Sequence, residues 1–507
     1  MTLEAYKNFA DSNHWLLLWP EIALGITALL LLAVEWVLPR ERCKHVIPAV
    51  ALFAQGLLLV VVAFSLFSGD FTSSGVSFAG LIKQTQLTNL MRCFFLLSSF
   101  FVTYLALIYF QREKGTPQTE FYHLLLVVTA SMMLLVQSNQ FVLFFVALEL
   151  VTVGFYVLVS YSRNHLSSLE AGLKYLILGA LSSPMLLFGI VLVYGIAGNP
   201  GLIGHASDPL NFQQIEHFLL ADPTGNPYML LAVILIFCGI AFKIGAVPFQ
   251  IWIPDVYQGA PTPVTAFLAV ASKAAGFMVL INLLRGPFAP LSESLLPFIS
   301  AIAAVTILFG NIAALTQRNA KRLMGLSGIA HAGYLLLGVA ASIKVEWAVG
   351  AVVFYLFSYL LGSFAVFGVM SVLGSEEGDA WQTLDDYENL RTTHPFLATV
   401  LTLGLGSLAG IPPLVGFVGK FLLFVAAFQA KLYGLLAVAI IGVVISIYYY
   451  FGWIRSAYFR SWDLTSAEGA CLAKQKLAGV HRFVLGVVAL AVIVFGVYQA
   501  SLSSYLF

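Results

Sequence analysis

Six ionisable side chains stand inside long apolar stretches of this 507-residue sequence, where water cannot solvate a charge. They are Glu149 in "FVLFFVALELVTVGFY", Lys174 in "AGLKYLILGALSSP", Lys243 in "GIAFKIGAVPFQ", Lys273 in "FLAVASKAAGFMVLI", His331 in "LSGIAHAGYLLLG" and Lys420 in "GIPPLVGFVGKF". Their common chemistry is proton exchange. A lysine taken out of water is driven toward its neutral amine and, unlike arginine, can lose and regain a proton near neutral pH. Histidine titrates there without help.

The positions are deep. Glu149 lies nine residues into its apolar run and Lys273 eleven into its own, roughly 14 and 17 Å at about 1.5 Å per helical residue. A central lysine costs about 2.5–3.5 kcal/mol to insert, so Lys243, Lys273 and Lys420 together cost roughly 8–10 kcal/mol. Ion pairs that fix helix register are the plain structural reading. That reading meets an excess of base, since one glutamate cannot neutralise three or four lysines. A file of such groups, with His331 and intervening water, is a proton relay. Lys174 stands nearer the end of its run and can snorkel to the interface, as can Arg92 at the start of its helix.

Other chemistries find little here. The four cysteines are scattered without a C-x-x-C pair, so no iron–sulfur or zinc site is expected. Neither a G-x-G-x-x-G nor a G-x-x-x-x-G-K-[ST] phosphate loop occurs, so no nucleotide chemistry is expected either. The net charge of +1 points to no nucleic-acid partner. No metal and no cofactor are expected in this chain.

The elements that carry the charges follow from composition. Hydrophobic residues make up 60% and charged ones 10%, with mean hydropathy +0.92. Apolar runs near 20 residues recur, each long enough for a bilayer core of about 30 Å. The fold class is an all-α polytopic membrane protein, since a β-barrel would show short alternating strands. Fourteen spans are expected, at 15–38, 46–67, 90–111, 122–137, 140–161, 171–195, 228–253, 262–284, 292–316, 321–342, 345–373, 395–427, 432–460 and 480–503. No removable signal peptide precedes the first, which lacks a basic region and an A-x-A-like site.

Lysine and arginine set the orientation. With an even number of spans the termini and the even-numbered loops share one side, holding Lys7, Lys83, Arg285, Lys344 and Lys431. Fifteen cations lie opposite, among them Arg40, Lys114, Arg163, Arg318, Lys321, Arg322, Arg460, Lys474 and Lys476. The richer side is cytoplasmic, so both termini face away from the cytoplasm.

Two spans are interrupted. Gly245 and Pro248 follow Lys243, and Pro412, Pro413, Gly416 and Gly419 lead to Lys420. Broken backbone in a membrane is tolerated only where protein or a water-filled cavity supplies hydrogen-bond partners. Each interrupted span follows a titratable group two helices earlier: Glu149 precedes Lys243 by 94 residues and His331 precedes Lys420 by 89. The expected repeat is therefore five helices long, spans 4–8 and 9–13. An odd number inverts the second copy, the pattern of many transporters. The expected division is a three-helix segment at 1–115, a first antiporter-like repeat at 116–285, a second at 286–460 and a C-terminal helix at 461–507. Gly404 and Gly406 read as helix-packing residues, Tyr448–Tyr450 as an aromatic cluster, and "SEEGDAWQTLDDYENL" as a solvated cytoplasmic loop.

The stretch "FKIGAVPFQIWIPDVYQGAPTPVTAFLAVASKAAGF" resembles the signature of the N subunit of the proton-pumping NADH:quinone oxidoreductase, respiratory complex I. "EAGLKYLILGALSSPMLLFGIVLVYG", "RLMGLSGIAHAGYLLLG" and "GIPPLVGFVGKF" resemble that subunit as well, in the same order. The resemblance covers spans 4–13, and the fourteen-helix plan fits the whole chain. It implies two inverted five-helix bundles, each with a broken helix. Glu149 would be the fifth-helix glutamate paired with Lys243, Lys273 the connecting lysine of the eighth helix, and Lys420 the lysine of the second half-channel. Lys174 and His331 would lie on the same polar axis. NADH, FMN, iron–sulfur clusters and quinone would belong to other subunits. The partners implied are neighbouring antiporter-like and small membrane subunits within a lipid bilayer, in a bacterial inner membrane. Opposite charges about 4 Å apart interact by about 4 kcal/mol at an effective dielectric of about 20, enough to move a proton on or off Lys243 when the pair separates. Two alternatives stay open: an Mrp-type cation/proton antiporter subunit, and a membrane subunit whose charges serve packing alone.

Overall fold

The computed structural model describes residues 12–68, 75–112, 118–221, 227–374, 382–459 and 478–499. Lys7, Lys114, Arg460, Cys471, Lys474 and Lys476 lie outside the described residues, as do 375–381 of the acidic segment.

The apolar runs fold as helices because, away from water, a backbone must satisfy its own polar groups. In chain order these are α1 (Trp19–Val37), α2 (Arg40–Ser68), α3 (Gln86–Arg112), α4 (Thr119–Gln137), α5 (Phe141–Val159), α6 (Leu166–Ala197), α7 (Phe212–Ala221), α8 (Pro227–Ile244) and α9 (Trp252–Gly259). There follow α10 (Thr262–Arg285), which contains a π-helical turn at Leu268–Ser272, then α11 (Ser292–Ala314), α12 (Ala320–Ser342), α13 (Ala348–Leu373), α14 (Pro395–Ala409), α15 (Val415–Gln429), α16 (Tyr433–Tyr458) and α17 (Gly479–Val497). Among the described residues thirteen helices are long and apolar enough to cross a membrane. The span expected at 395–427 is instead divided between α14 and α15, each of 15 residues. Both are apolar but shorter than the thirteen.

Both breaks have one construction. Gly245 and Gly410 adopt positive φ, +74° and +84°, a region open to glycine. Around the first, Gly245 N–H donates to Phe242 O at 3.2 Å and Ala246 N–H to Ala241 O at 2.9 Å. Around the second, Gly410 N–H donates to Ser407 O at 3.0 Å and Ile411 N–H to Gly406 O at 3.0 Å. This is the paired closure of a Schellman motif. A cis proline, Pro248 or Pro413, follows three residues after each glycine. The two breaks therefore correspond glycine to glycine. Lys243 comes before its break and Lys420 after it.

α10 and α12 are buried over nearly their whole lengths, with Arg285 at the end of α10 and Arg322 at the start of α12 reaching outward, and α13 is mostly buried. Small residues let α11 and α12 approach closely: a Cβ on Gly310 would lie 2.4 Å from Ala330 N. The outer helices carry exposed apolar side chains such as Leu29, Phe64, Leu181, Val444 and Phe483, as lipid-facing surfaces do. At the start of α12, the described part of the acidic segment clasps the chain: Ala320 N–H donates to Gln382 O at 2.8 Å and Leu384 N–H to Arg318 O at 2.9 Å.

Arg92 departs from expectation. It does not snorkel but is 1% exposed and paired with Glu21 at 2.8 Å. It also donates to Asn89, Gln137 and the Leu17 carbonyl. The pair ties α3 to α1, and Gln137 brings in α4. The glutamate that makes this possible is 71 residues away in the chain.

Candidate functional site

Lys243, in the last turn of α8, is buried and donates from Nζ to Thr152 Oγ1 of α5 at 2.7 Å. Glu149 lies one turn earlier on α5, half-buried, and its Oε1 accepts from Ser183 Oγ of α6 at 2.6 Å. The expected contact ion pair is therefore not formed. Thr152 receives the ammonium, and Glu149 acts on it from one helical turn away.

Lys273 follows the π-helical turn of α10 and is 2% exposed. Its Nζ donates to Gly328 O of α12 at 2.6 Å and stands 5.8 Å from the ring centroids of both Tyr257 and Tyr359. A side chain at 328 would collide with it, because a Cβ there would be 2.6 Å from that nitrogen. One turn further along α12, His331 contacts Tyr355 hydroxyl through Nδ1 at 2.6 Å and Tyr450 hydroxyl through Nε2 at 3.1 Å.

Lys420, on α15, donates to Leu408 O at 2.8 Å and Ala409 O at 3.0 Å, the last carbonyls of α14. A cation suits the negative end of a helix. Its Nζ also lies 5.1 Å from the Tyr334 ring centroid. Tyr334 hydroxyl accepts from Asn311 at 3.3 Å, and Tyr449 hydroxyl donates to Asn311 Oδ1 at 3.1 Å.

The structure gathers this candidate file in two parts: Glu149 with Lys243 at α5 and α8, and Lys273, His331 and Lys420 around α12. Among the described residues, none of the three lysines forms an ion pair. Each is held by a neutral oxygen: a hydroxyl, a helix carbonyl, or helix-end carbonyls. That distinction matters chemically. A lysine that loses its proton from a neutral acceptor strands no buried carboxylate, and the amine left behind still donates.

Lys174 belongs elsewhere. It is 43% exposed and bridges Glu170 at 2.7 Å and Asp255 of α9 at 2.8 Å. Arg322 of α12 reaches Asp255 at 2.7 Å and Gln258 at 2.8 Å. Lys321, counted above among loop cations, is fully buried and donates to Ala260 O at the end of α9, at 2.8 Å. The sequence signal for it is the spacing Lys321, Gly325, Gly328, His331, which puts all four toward one side of α12. Tyr334 and Tyr355 are likewise hidden in apolar runs, and Tyr449 and Tyr450 are legible there only as part of an aromatic cluster. Tyr448 alone of its run of three is exposed. Among the described residues no cluster of three or more His, Cys, Asp or Glu could hold a metal ion.

Residues 138–446, which span this file, match the family described as NADH:quinone oxidoreductase/Mrp antiporter, TM. The chain belongs to that family. Within it, similarity runs from end to end to "NADH-quinone oxidoreductase subunit N 1" of Opitutus terrae, 56% identical and covering 100% of this chain and 99% of the relative. The corresponding subunit N of Desulfitobacterium hafniense is 35% identical, covering 96% of each. A chain of respiratory complex I from Thermus thermophilus superposes with TM-score 0.76 at 27% identity, over 96% of this chain and 98% of that one. A chain of the Mrp complex from Dietzia shares the fold, with TM-score 0.77 at 19% identity, each chain being 96% covered. The antiporter-like architecture and the multi-pass membrane character read from the sequence stand.

Proposed function

We propose that this chain is a membrane-arm subunit of a proton-pumping NADH:quinone oxidoreductase and carries protons through Glu149, Lys243, Lys273, His331 and Lys420. NADH, FMN, iron–sulfur clusters and quinone are held by other subunits, and quinone reduction there supplies the energy. The observation that carries the reading is the file of buried lysines held only by neutral oxygens. The names of the relatives support the assembly. Lys174, exposed and ion-paired, serves the positioning of α9 instead of the file itself.

The division into 1–115, 116–285, 286–460 and 461–507 suits this reading, because each middle segment contains one break. Both termini then lie on the non-cytoplasmic side of a bacterial inner membrane, as the lysine and arginine asymmetry requires.

The test is Lys243→Ala in the intact complex, reconstituted in sealed vesicles with NADH and quinone. Assembly should be normal and proton uptake strongly reduced. Undiminished uptake with normal assembly counts against the relay. The family also includes Mrp antiporters, so the same vesicles discriminate a second reading. Proton movement that needs sodium and persists without NADH or quinone favours a cation/proton antiporter.

A further inference from the structure

Tyr257 stands apart from the file as read so far. It lies on α9, is 0% exposed, and its hydroxyl has no hydrogen-bond partner among the described residues. A hydroxyl buried without a partner is destabilising, and native interiors satisfy such groups with protein or with bound water. The surroundings are those of a proton path. The Tyr257 ring packs on α12 at Gly325, where a Cβ would be 3.3 Å from a ring carbon. One turn of α12 before that point, the fully buried Lys321 ammonium donates to Ala260 O, three residues after Tyr257. One turn after it, Gly328 O receives the Lys273 ammonium, which stands 5.8 Å from the Tyr257 ring centroid.

Resting on the relay reading above, we propose that the Tyr257 hydroxyl binds water and passes protons between Lys321 and Lys273, so that Lys273 exchanges with the Asp255 end of α9. The step balances without redox chemistry. A proton leaves the Lys321 ammonium through water for the phenol oxygen as the phenol's own proton passes through water to the neutral Lys273 amine. The phenol ends neutral, Lys321 is left as an amine and Lys273 as an ammonium. Asp255, joined to the exposed Lys174 and to Arg322, marks where this branch approaches the surface.

Tyr257→Phe isolates the oxygen, because it keeps the ring on Gly325. A purely packing role predicts no loss of pumping, since deleting an unpaired buried hydroxyl is neutral or stabilising. The experiment compares the intact complex with its Tyr257→Phe variant in sealed vesicles driven by NADH and quinone, with the exposed Tyr448→Phe as control. Expected are normal assembly, a fall in proton uptake of about tenfold, and a larger ratio of rates in H2O and D2O as proton transfer becomes limiting. A positioned proton-transfer group contributes about 10²–10⁴-fold, and water can bypass part of the missing step. Uptake equal to that of the unaltered complex overturns the proposal. Lys273→Ala separates the two readings: if it stops pumping while Tyr257→Phe does not, only the Tyr257 branch fails. If both pump at full rate, the relay itself fails.

Discussion

Lys420 offers the sharpest separation between a structural charge and a transported one. In an unbroken helix the carbonyls of Leu408 and Ala409 would accept from the N–H groups of residues 412 and 413. Both are prolines and have none. The Lys420 ammonium reaches back from α15 and supplies both missing donors, at 2.8 and 3.0 Å. Lys420→Ala orphans two buried carbonyls, at about 1–3 kcal/mol each, or about 2–6 kcal/mol in all. It also relieves the cost of inserting an ammonium, about 2.5–3.5 kcal/mol. The difference centres near 1 kcal/mol destabilising, too little to prevent assembly of a large complex.

The expected outcome is therefore a variant present at near-normal level on a native gel, oxidising NADH, and deficient in proton uptake in sealed vesicles. Lys420→Arg sharpens it. A guanidinium still donates to both carbonyls but does not release its proton, so the complex should assemble and pumping should remain low. Full pumping by Lys420→Arg would show that Lys420 serves as a fixed cap and would refute the reasoning. Disappearance of the complex in Lys420→Ala would refute the arithmetic.

Two further outcomes test the frame around the file. Arg92→Ala leaves Glu21 buried without its cation and should destabilise the chain by about 3–5 kcal/mol, read as lower complex abundance and an earlier thermal transition; pairing it with Glu21→Gln should recover part of the loss. Gly328→Ala places a Cβ 2.6 Å from the Lys273 ammonium nitrogen, and should displace that flexible end, lowering proton uptake while assembly holds.

The sequence displayed the ionisable groups because a lysine in an apolar run is conspicuous whatever surrounds it, and a Gly–Pro interruption beside it equally so. Partners were hidden because helices bring them from far along the chain: Thr152 is 91 residues from Lys243, and Gly328 is 55 from Lys273. Depth along a helix was legible for Arg92, but the helix packed against it was not, so a buried ion pair read as a snorkelling side chain. Lys321 read as a loop charge because it stands in the first turn of α12, where it is buried and reaches the end of α9. The interruption of the twelfth span was legible from Pro412 and Pro413, but its turning point at Gly410, where φ is positive, was not, because 395–427 is otherwise continuously apolar.

The two breaks share a frame and differ in what bridges it. At the first, the indole N–H of Trp252 reaches back from α9 to Phe242 O at 3.1 Å. That donor does not titrate, so the break holds its shape whatever the charge on Lys243. The lysine there points across to α5, beside Glu149, and responds to a neighbour's charge. At the second, the bridge is Lys420 itself. Loss of its proton replaces a charge-assisted contact with a weaker neutral one, and the junction of α14 with α15 loosens by that difference. Protonation and backbone geometry are therefore independent at the first break and linked at the second. On the relay proposed above, a proton reaching Lys420 would change the shape of the second break, whereas the first would hold its backbone while Lys243 answers to the charge on Glu149.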